Sequence, residues 1–180
     1  IGAGAVITLG SVGRGAQDAI TSIYQQRGTN IIFVQPRNPE APGLAGLHPA
    51  FTFPTLTLGD AQAISGIPTV LSIAPTNQNF ADVVFGDQTK LTVLHGGTPA
   101  YQEAYNHYFT RGQFISERHI TRRDMVIVLG SEVAKDLFGT RDPIGQTVKV
   151  KGKTFTVIGV LEPKGGAIFG VSMDAVAFVP

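Results

Sequence analysis

At 180 residues and 43% hydrophobic content, the chain can bury a substantial core as one domain or two small ones, which excludes a disordered polypeptide. A formal net charge of +1 is too small for a general nucleic-acid binder, which needs a basic face to release counterions from phosphates. The absence of cysteine excludes disulfides, thiolate zinc sites and cysteine nucleophiles, and suits an exported protein that avoids oxidative mispairing.

The charge is uneven. Residues 111–164 hold ten Lys/Arg against six Asp/Glu, and the remainder four against seven, so one half presents a mildly basic surface. Lysines on a solvated hairpin edge, where they discourage strand-to-strand aggregation, account for this without a ligand.

Ile1–Gly13 is small and apolar, lacks the basic start and cleavage site of a signal peptide, and is shorter than the about 20 residues that span a bilayer. The Ile1 start is expected to lie within or just after a longer hydrophobic segment. Arg14–Gln26 continues as an amphipathic helix with Ala16, Ala19, Ile20 and Ile23 at helical spacing. The small residues Gly2, Ala3, Gly4 and Ala5 suit close packing between membrane helices and equally a soluble glycine-rich helix start. Gly28 ends the helix, and Ile31–Val34 is expected to be a short buried strand stopped by Pro36.

Arg37–Thr57, proline-rich with almost no charge, reads as a surface loop or a partly disordered excursion. Thr57 or Asp60 can cap a short helix that Gly66-Ile67-Pro68 terminates. Strands are expected over Val70–Ala74, Phe80–Phe85 and Lys90–His95, the last two joined as a hairpin through Gly86-Asp87-Gln88-Thr89. Ala100–Phe109 reads as a helix with an aromatic stripe at Tyr101, Tyr105, Tyr108 and Phe109, a pattern more typical of core than of a ligand platform.

From Met125 to Leu161 every local signal agrees with its neighbours. Val126–Leu129 is a buried strand ended by Gly130; Ser131 is placed to cap a helix, Glu132 to favour its positive end, and Gly139 to close it. Asp142-Pro143-Ile144-Gly145 is turn chemistry. Alternation then puts Val148, Val150, Phe155 and Val157 on one face and Thr147, Lys149, Lys151 and Thr156 on the other. Lys151-Gly152-Lys153 closes a β-hairpin, and Gly159 marks a bulge or the strand's exit. Glu162–Gly166 is a turn, and Val176–Val179 a last strand before Pro180.

VIVLGSEVAKDLFG followed by DPIGQTVKVKGKTFTVIGVL, preceded by Arg111-Gly112-Gln113-Phe114, resembles the periplasmic core domain of MacB/FtsX-type ABC transporter permeases, with a match that includes Ile1–Pro36. The resemblance implies an α+β, two-lobed extracytoplasmic domain: a porter-like βαβ lobe and a sabre-like mixed lobe with a β-hairpin. It implies that residues 1–110 contain the end of the first transmembrane or lever helix and the porter-like lobe, 111–170 the sabre-like lobe, and 171–180 a strand returning to the first. Relatives continue beyond that strand with a helix, strand and helix, so the first lobe is expected to need downstream residues. Also implied are an inner-membrane location, the chain's own transmembrane helices and a cytoplasmic ATPase as partners, a permease dimer, and a periplasmic adaptor; no nucleic acid is implied.

No constellation for catalysis emerges, and no catalytic, cofactor-binding or metal-binding residue is assigned. Gly2-Ala3-Gly4 lacks a preceding strand and has Ile7 where a dinucleotide fingerprint wants glycine; Gly10, Gly13 and Gly15 lack the Lys-Ser/Thr pair of a P-loop. Gly170–Asp174 misses a nucleophile elbow at its last residue. His48, His95, His107 and His119 show no ligand spacing. Asp60, Asp82 and Glu103 have no sequence support as acid–base groups, and Glu117, Arg118, Arg122, Arg123 and Asp124 read as a solvated loop between lobes. The resemblance implies a non-catalytic permease domain carrying ATP-driven movement to substrate export or to an envelope partner, with the hairpin at Gly152 and Phe114–Ile115 as candidate adaptor contacts. The alternative is a soluble extracytoplasmic module that binds a small or lipidic ligand between lobes, lined by the proline-rich loop and the aromatic helix.

Overall fold

The computed structural model describes residues 31–34, 36, 56–105, 107–168 and 171–180. Its elements are helices α1 (Leu58–Ser65), α2 (Ala100–Ala104), α3 (Glu117–Arg122) and α4 (Ser131–Phe138), and strands β1 (Thr76–Phe85), β2 (Gln88–Gly97), β3 (Phe109–Gly112), β4 (Val126–Leu129), β5 (Thr147–Val150), β6 (Lys153–Leu161), β7 (Ala167–Ile168), β8 (Val171–Ser172) and β9 (Val176–Val179). This is the expected α+β class. The lever helix and the proline-rich loop lie outside the described residues, and among those described no helix is long and apolar enough to cross a membrane.

One mixed sheet runs β3-β6-β4-β9-β2-β1-β5, and β5 also pairs with β6, so six strands close into a ring with β3 added along β6. Strands from both sides of the 110/111 boundary read from sequence, and the last strand β9, all belong to this sheet. Closure uses local chemistry twice. The β1–β2 hairpin turns on Gly86-Asp87 alone, with Gly86 at φ 58°, and β5–β6 turns on Lys151 (φ 48°) and Gly152 (φ 78°), the two-residue geometry that matches strand twist.

Helix α4 packs Val133, Ala134, Leu137 and Phe138 against Ala81 and Val83 of β1, Ile127 and Leu129 of β4, Val148 and Val150 of β5, Val157 and Val160 of β6, and Ala177 of β9. The expected facing of Val148, Val150, Phe155 and Val157 holds, with Val148 opposite Phe155. Lys90 on β2 donates to Glu132 and contacts Asp136, both at 2.6 Å, and pins the helix over the barrel. Gly130, not Ser131, is the N-cap of α4, and no side chain caps it; Ser131 is already in the first turn. A side chain cannot stand at 130, because a Cβ there would lie 2.3 Å from the Asp174 carbonyl oxygen.

Other expectations need correction. Val70–Ala74 is not a strand: Leu71 is 100% exposed and no sheet edge receives it. Ile31–Val34 is irregular and largely exposed rather than a buried strand. The aromatic helix stops at Ala104, where the His107 N–H closes onto the Gln102 carbonyl, and Phe109 opens β3 instead because Leu161 of β6 offers it a ladder partner. The charged stretch after Ser116 is helix α3 rather than loop, since the Ser116 hydroxyl and the His119 ring form a reciprocal cap. The short helix at Leu58 is as expected, with Thr57 and Asp60 bonded reciprocally.

Candidate functional site

The outer face of the sheet carries a second core. The strand registers align Gln78, His95, Phe178, Val128, Gly159 and Gly112 in one row across β1, β2, β9, β4, β6 and β3. Along this row Tyr101, Phe114, Ile115, Val128, Leu161 and Phe178 form a buried cluster. Phe178, 1% exposed, lies at its centre, with ring centroids 4.8 Å from His95, 5.0 Å from Tyr101, 5.4 Å from Phe114 and 5.5 Å from His107.

The glycine end of the row is a crossing of backbones. The β4–β6 register shifts between Ile127 and Val128, so Ile158–Gly159 is the bulge expected at Gly159. The Gln113 N–H donates to the Ile158 carbonyl at 2.9 Å, and a Cβ at Gly159 would sit 2.2 Å from the Gln113 carbonyl oxygen. Gly112, at φ 77°, turns the chain here, so the Arg111-Gly112-Gln113-Phe114 run delivers Phe114 into the cluster. Arg111 reaches Asp142 at 3.2 Å beside a shallow open groove of about 400 Å³ floored by Thr156–Ile158.

At the other end the cluster meets the segment that follows the amino-terminal region. Tyr105 stacks on Tyr101 at 4.1 Å and meets the Phe33 ring edge-on at 5.8 Å. Lys164 donates its Nζ to the Tyr105 carbonyl at 2.5 Å, while the Lys164 and Gly165 backbone N–H groups donate to the Asp174 carboxylate at 2.8 and 2.9 Å. The rings of Phe33, Tyr105, Tyr101 and Phe178 are thus in serial contact, and Lys164 ties Tyr105 to Asp174.

Burial lowers the His95 pKa to about 4, so the ring is neutral among its aromatic neighbours, with the Gln78 side-chain nitrogen 3.3 Å from Nδ1. His107 is buried against Tyr101 and Phe178, His119 accepts from the Ser116 N–H at 3.1 Å, and His48 lies outside the described residues. Among the described residues no group of three or more His, Asp or Glu could hold a metal ion. Asp60 is occupied in capping α1, where bonds from Thr57 hold its carboxyl below the usual range. Ser172 accepts from the Asp174 N–H at 3.2 Å, which is turn bonding. Phe114 and Ile115, 5% and 3% exposed, are buried and offer no contact surface to an adaptor, whereas the Lys151-Gly152 turn is exposed.

Over residues 1–180 the sequence matches the family described as the MacB-like periplasmic core domain. The chain belongs to the MacB-like periplasmic core domain family. It is 33% identical over its full length to the macrolide export ATP-binding/permease protein MacB of Rhodospirillum rubrum, of which it spans 27%, and 28% identical to the pyoverdine export ATP-binding/permease protein PvdT of Pseudomonas syringae pv. tomato, of which it spans 26%. The chain therefore spans about a quarter of the length of these curated relatives. In fold, the MacB-like domain is similar to the periplasmic region of MacB from Actinobacillus actinomycetemcomitans, with a TM-score of 0.70 and 21% identity over 87% of this chain and 67% of that one. It is also similar to the extracellular domain of the noncanonic ABC-type transporter YknZ from Gram-positive bacteria, with a TM-score of 0.62 and 20% identity over 81% and 70% of the two chains.

The Phe33–Tyr105–Tyr101–Phe178 contact series was not found from sequence. Its one sequence signal was the aromatic stripe, which pointed to core; the partners on β2 and β9 come from distant strands.

Proposed function

We propose that this MacB-like domain is the extracytoplasmic part of an ABC transporter permease in the inner membrane, with no catalytic step of its own, and that it transmits ATP-driven movement from the cytoplasmic side toward substrate export or an envelope partner. The observation that carries the proposal is the full-length match to a periplasmic core domain in a chain that spans about a quarter of relatives named as fused ATP-binding/permease proteins. The geometry supports it. A closed sheet packed against α4 resists internal deformation, and the aromatic cluster joins Phe33 to the middle of that sheet through Tyr105.

In this reading the strands between Thr76 and Val179 move as one body, because those on both sides of the 110/111 boundary and β9 share one sheet. The chain's own transmembrane helices and an ATPase domain supply the motion, and two permeases and an adaptor complete the assembly. Inserting a flexible Gly/Ser segment at Gly13–Gly15 in the full-length transporter leaves ATP hydrolysis intact and abolishes export. Normal export by that variant would overturn the lever.

A further inference from the structure

Ring closure leaves most of β1 without a second partner strand among the described residues. β5 pairs with β1 only at Val83 and Val84, so from Thr76 to Asp82 the strand has β2 on one side and, among the described residues, no strand on the other. With Phe85 and Gln88 closing the two-residue turn, alternate residues Thr76, Gln78, Phe80 and Asp82 direct their N–H and C=O groups away from β2. Edge strands of this length are normally guarded by charge or by proline within the strand. Here Asp82 is the one charged residue in that stretch and Pro75 stands just before it.

The surroundings define what the edge takes. On the outer face Phe80 is 52% exposed and Leu91, diagonal to it on β2, is 60% exposed, an apolar step beside the open backbone. At the Asp82 end the β5–β6 hairpin carries Lys149, Lys151 and Lys153, all exposed, and none enters an ion pair among the described residues. Continuing the β1–β5 register past Val83 and Val150 brings Lys151 level with Asp82, which offsets one of the three cations and leaves an excess of positive charge.

We propose that the Thr76–Asp82 edge is a docking site for an extended polypeptide segment of a partner protein, which adds as a strand to β1, rests an apolar side chain on Phe80 and Leu91, and presents acidic residues to Lys149, Lys151 and Lys153. Backbone pairing supplies the register-independent part of the affinity, and the apolar step and the lysines supply direction and selectivity. The inference does not depend on the transport reading.

The test uses the 180-residue chain with a synthetic peptide of alternating Val and Thr ending in three Glu, and a counterpart ending in three Lys. The acidic peptide binds about tenfold more tightly, the sum of several exposed ion pairs. Its binding slows amide exchange at Gln78 and Phe80. Phe80→Pro removes an outward N–H and abolishes binding while β2 keeps its exchange protection; Thr76→Pro does the same if Phe80→Pro disturbs the hairpin. Reversing the three lysines to Glu inverts the peptide preference, a readout that leaves the β1 backbone untouched. Equal binding of the two peptides, or binding that survives both proline variants and the reversal, overturns the proposal. So does concentration-dependent dimerisation that Phe80→Pro removes, which would make a second copy the occupant, or acidic-peptide binding that anionic phosphatidylglycerol vesicles displace completely.

Discussion

Replacing Phe178 by alanine tests whether the outer-face cluster is a packed unit. The ring is 1% exposed and has four aromatic neighbours with centroids within 5.5 Å: His95, Tyr101, Phe114 and His107. Deleting it removes the transfer free energy of a buried aromatic and leaves a cavity lined by rings that cannot collapse, because His95 and Val128 are fixed in the strand ladder on either side. The loss is about 3–5 kcal/mol, a large share of the about 5–15 kcal/mol that holds a domain together. For a domain of this size it lowers the melting temperature by about 6–20 °C. Urea titration followed by far-UV circular dichroism reads the loss directly, and Phe178→Leu, which keeps most of the volume, recovers part of it. A loss below about 1 kcal/mol, the range of surface substitutions, would refute the claim that these rings form one core.

Between pH 6.5 and pH 4 the unfolded chain protonates His95 before the folded chain does, so stability is complete above the unfolded pKa and falls as pH drops toward the folded value of about 4, by up to about 3 kcal/mol; His95→Gln flattens this limb in pH-dependent denaturation. Lys90→Met leaves Glu132 and Asp136 one turn apart on α4 without their cation and costs about 1 kcal/mol, the pair being part-exposed; added salt narrows the gap from wild type in thermal melts. Gly159→Ala forces apart the Gln113 carbonyl and the β6 bulge and costs about 2 kcal/mol or more, whereas Gly152→Ala meets open space and pays only for its φ of 78°, about 1 kcal/mol; denaturant midpoints separate the two.

Sequence reading succeeded where structure is set by neighbours in the chain. Capping at Thr57, the Gly86 and Gly152 hairpins, the helix between Gly130 and Gly139 and the Gly159 bulge depend on residues a few positions apart, and each is present. It failed where a distant partner decides. Phe109 looks like the last turn of an aromatic helix until Leu161 of β6 pairs with it, and Val70–Ala74 looks like a strand until no edge is found for it. Closure of the sheet rests on Val83 and Val84 meeting Val150 and Lys149, a contact without local signature. The aromatic cluster was half legible: Tyr101 and Tyr105 announced a core, but His95 and Phe178 gave no sign that they would face it. Phe114 and Ile115, read from sequence as candidate contacts, are buried in the cluster instead.

The central claim is that this domain moves as one rigid body when the transporter turns over ATP. Spin labels at Asp87 and Thr140 on full-length protein in bilayers, with a second set pairing Asp87 to labelled lipid headgroups, measure both parts. The Asp87–Thr140 distance is expected to be the same with and without nucleotide, and the Asp87–headgroup distance to change between the two states. A headgroup distance that stays fixed while ATP is hydrolysed, or an internal distance that changes with nucleotide, would contradict it.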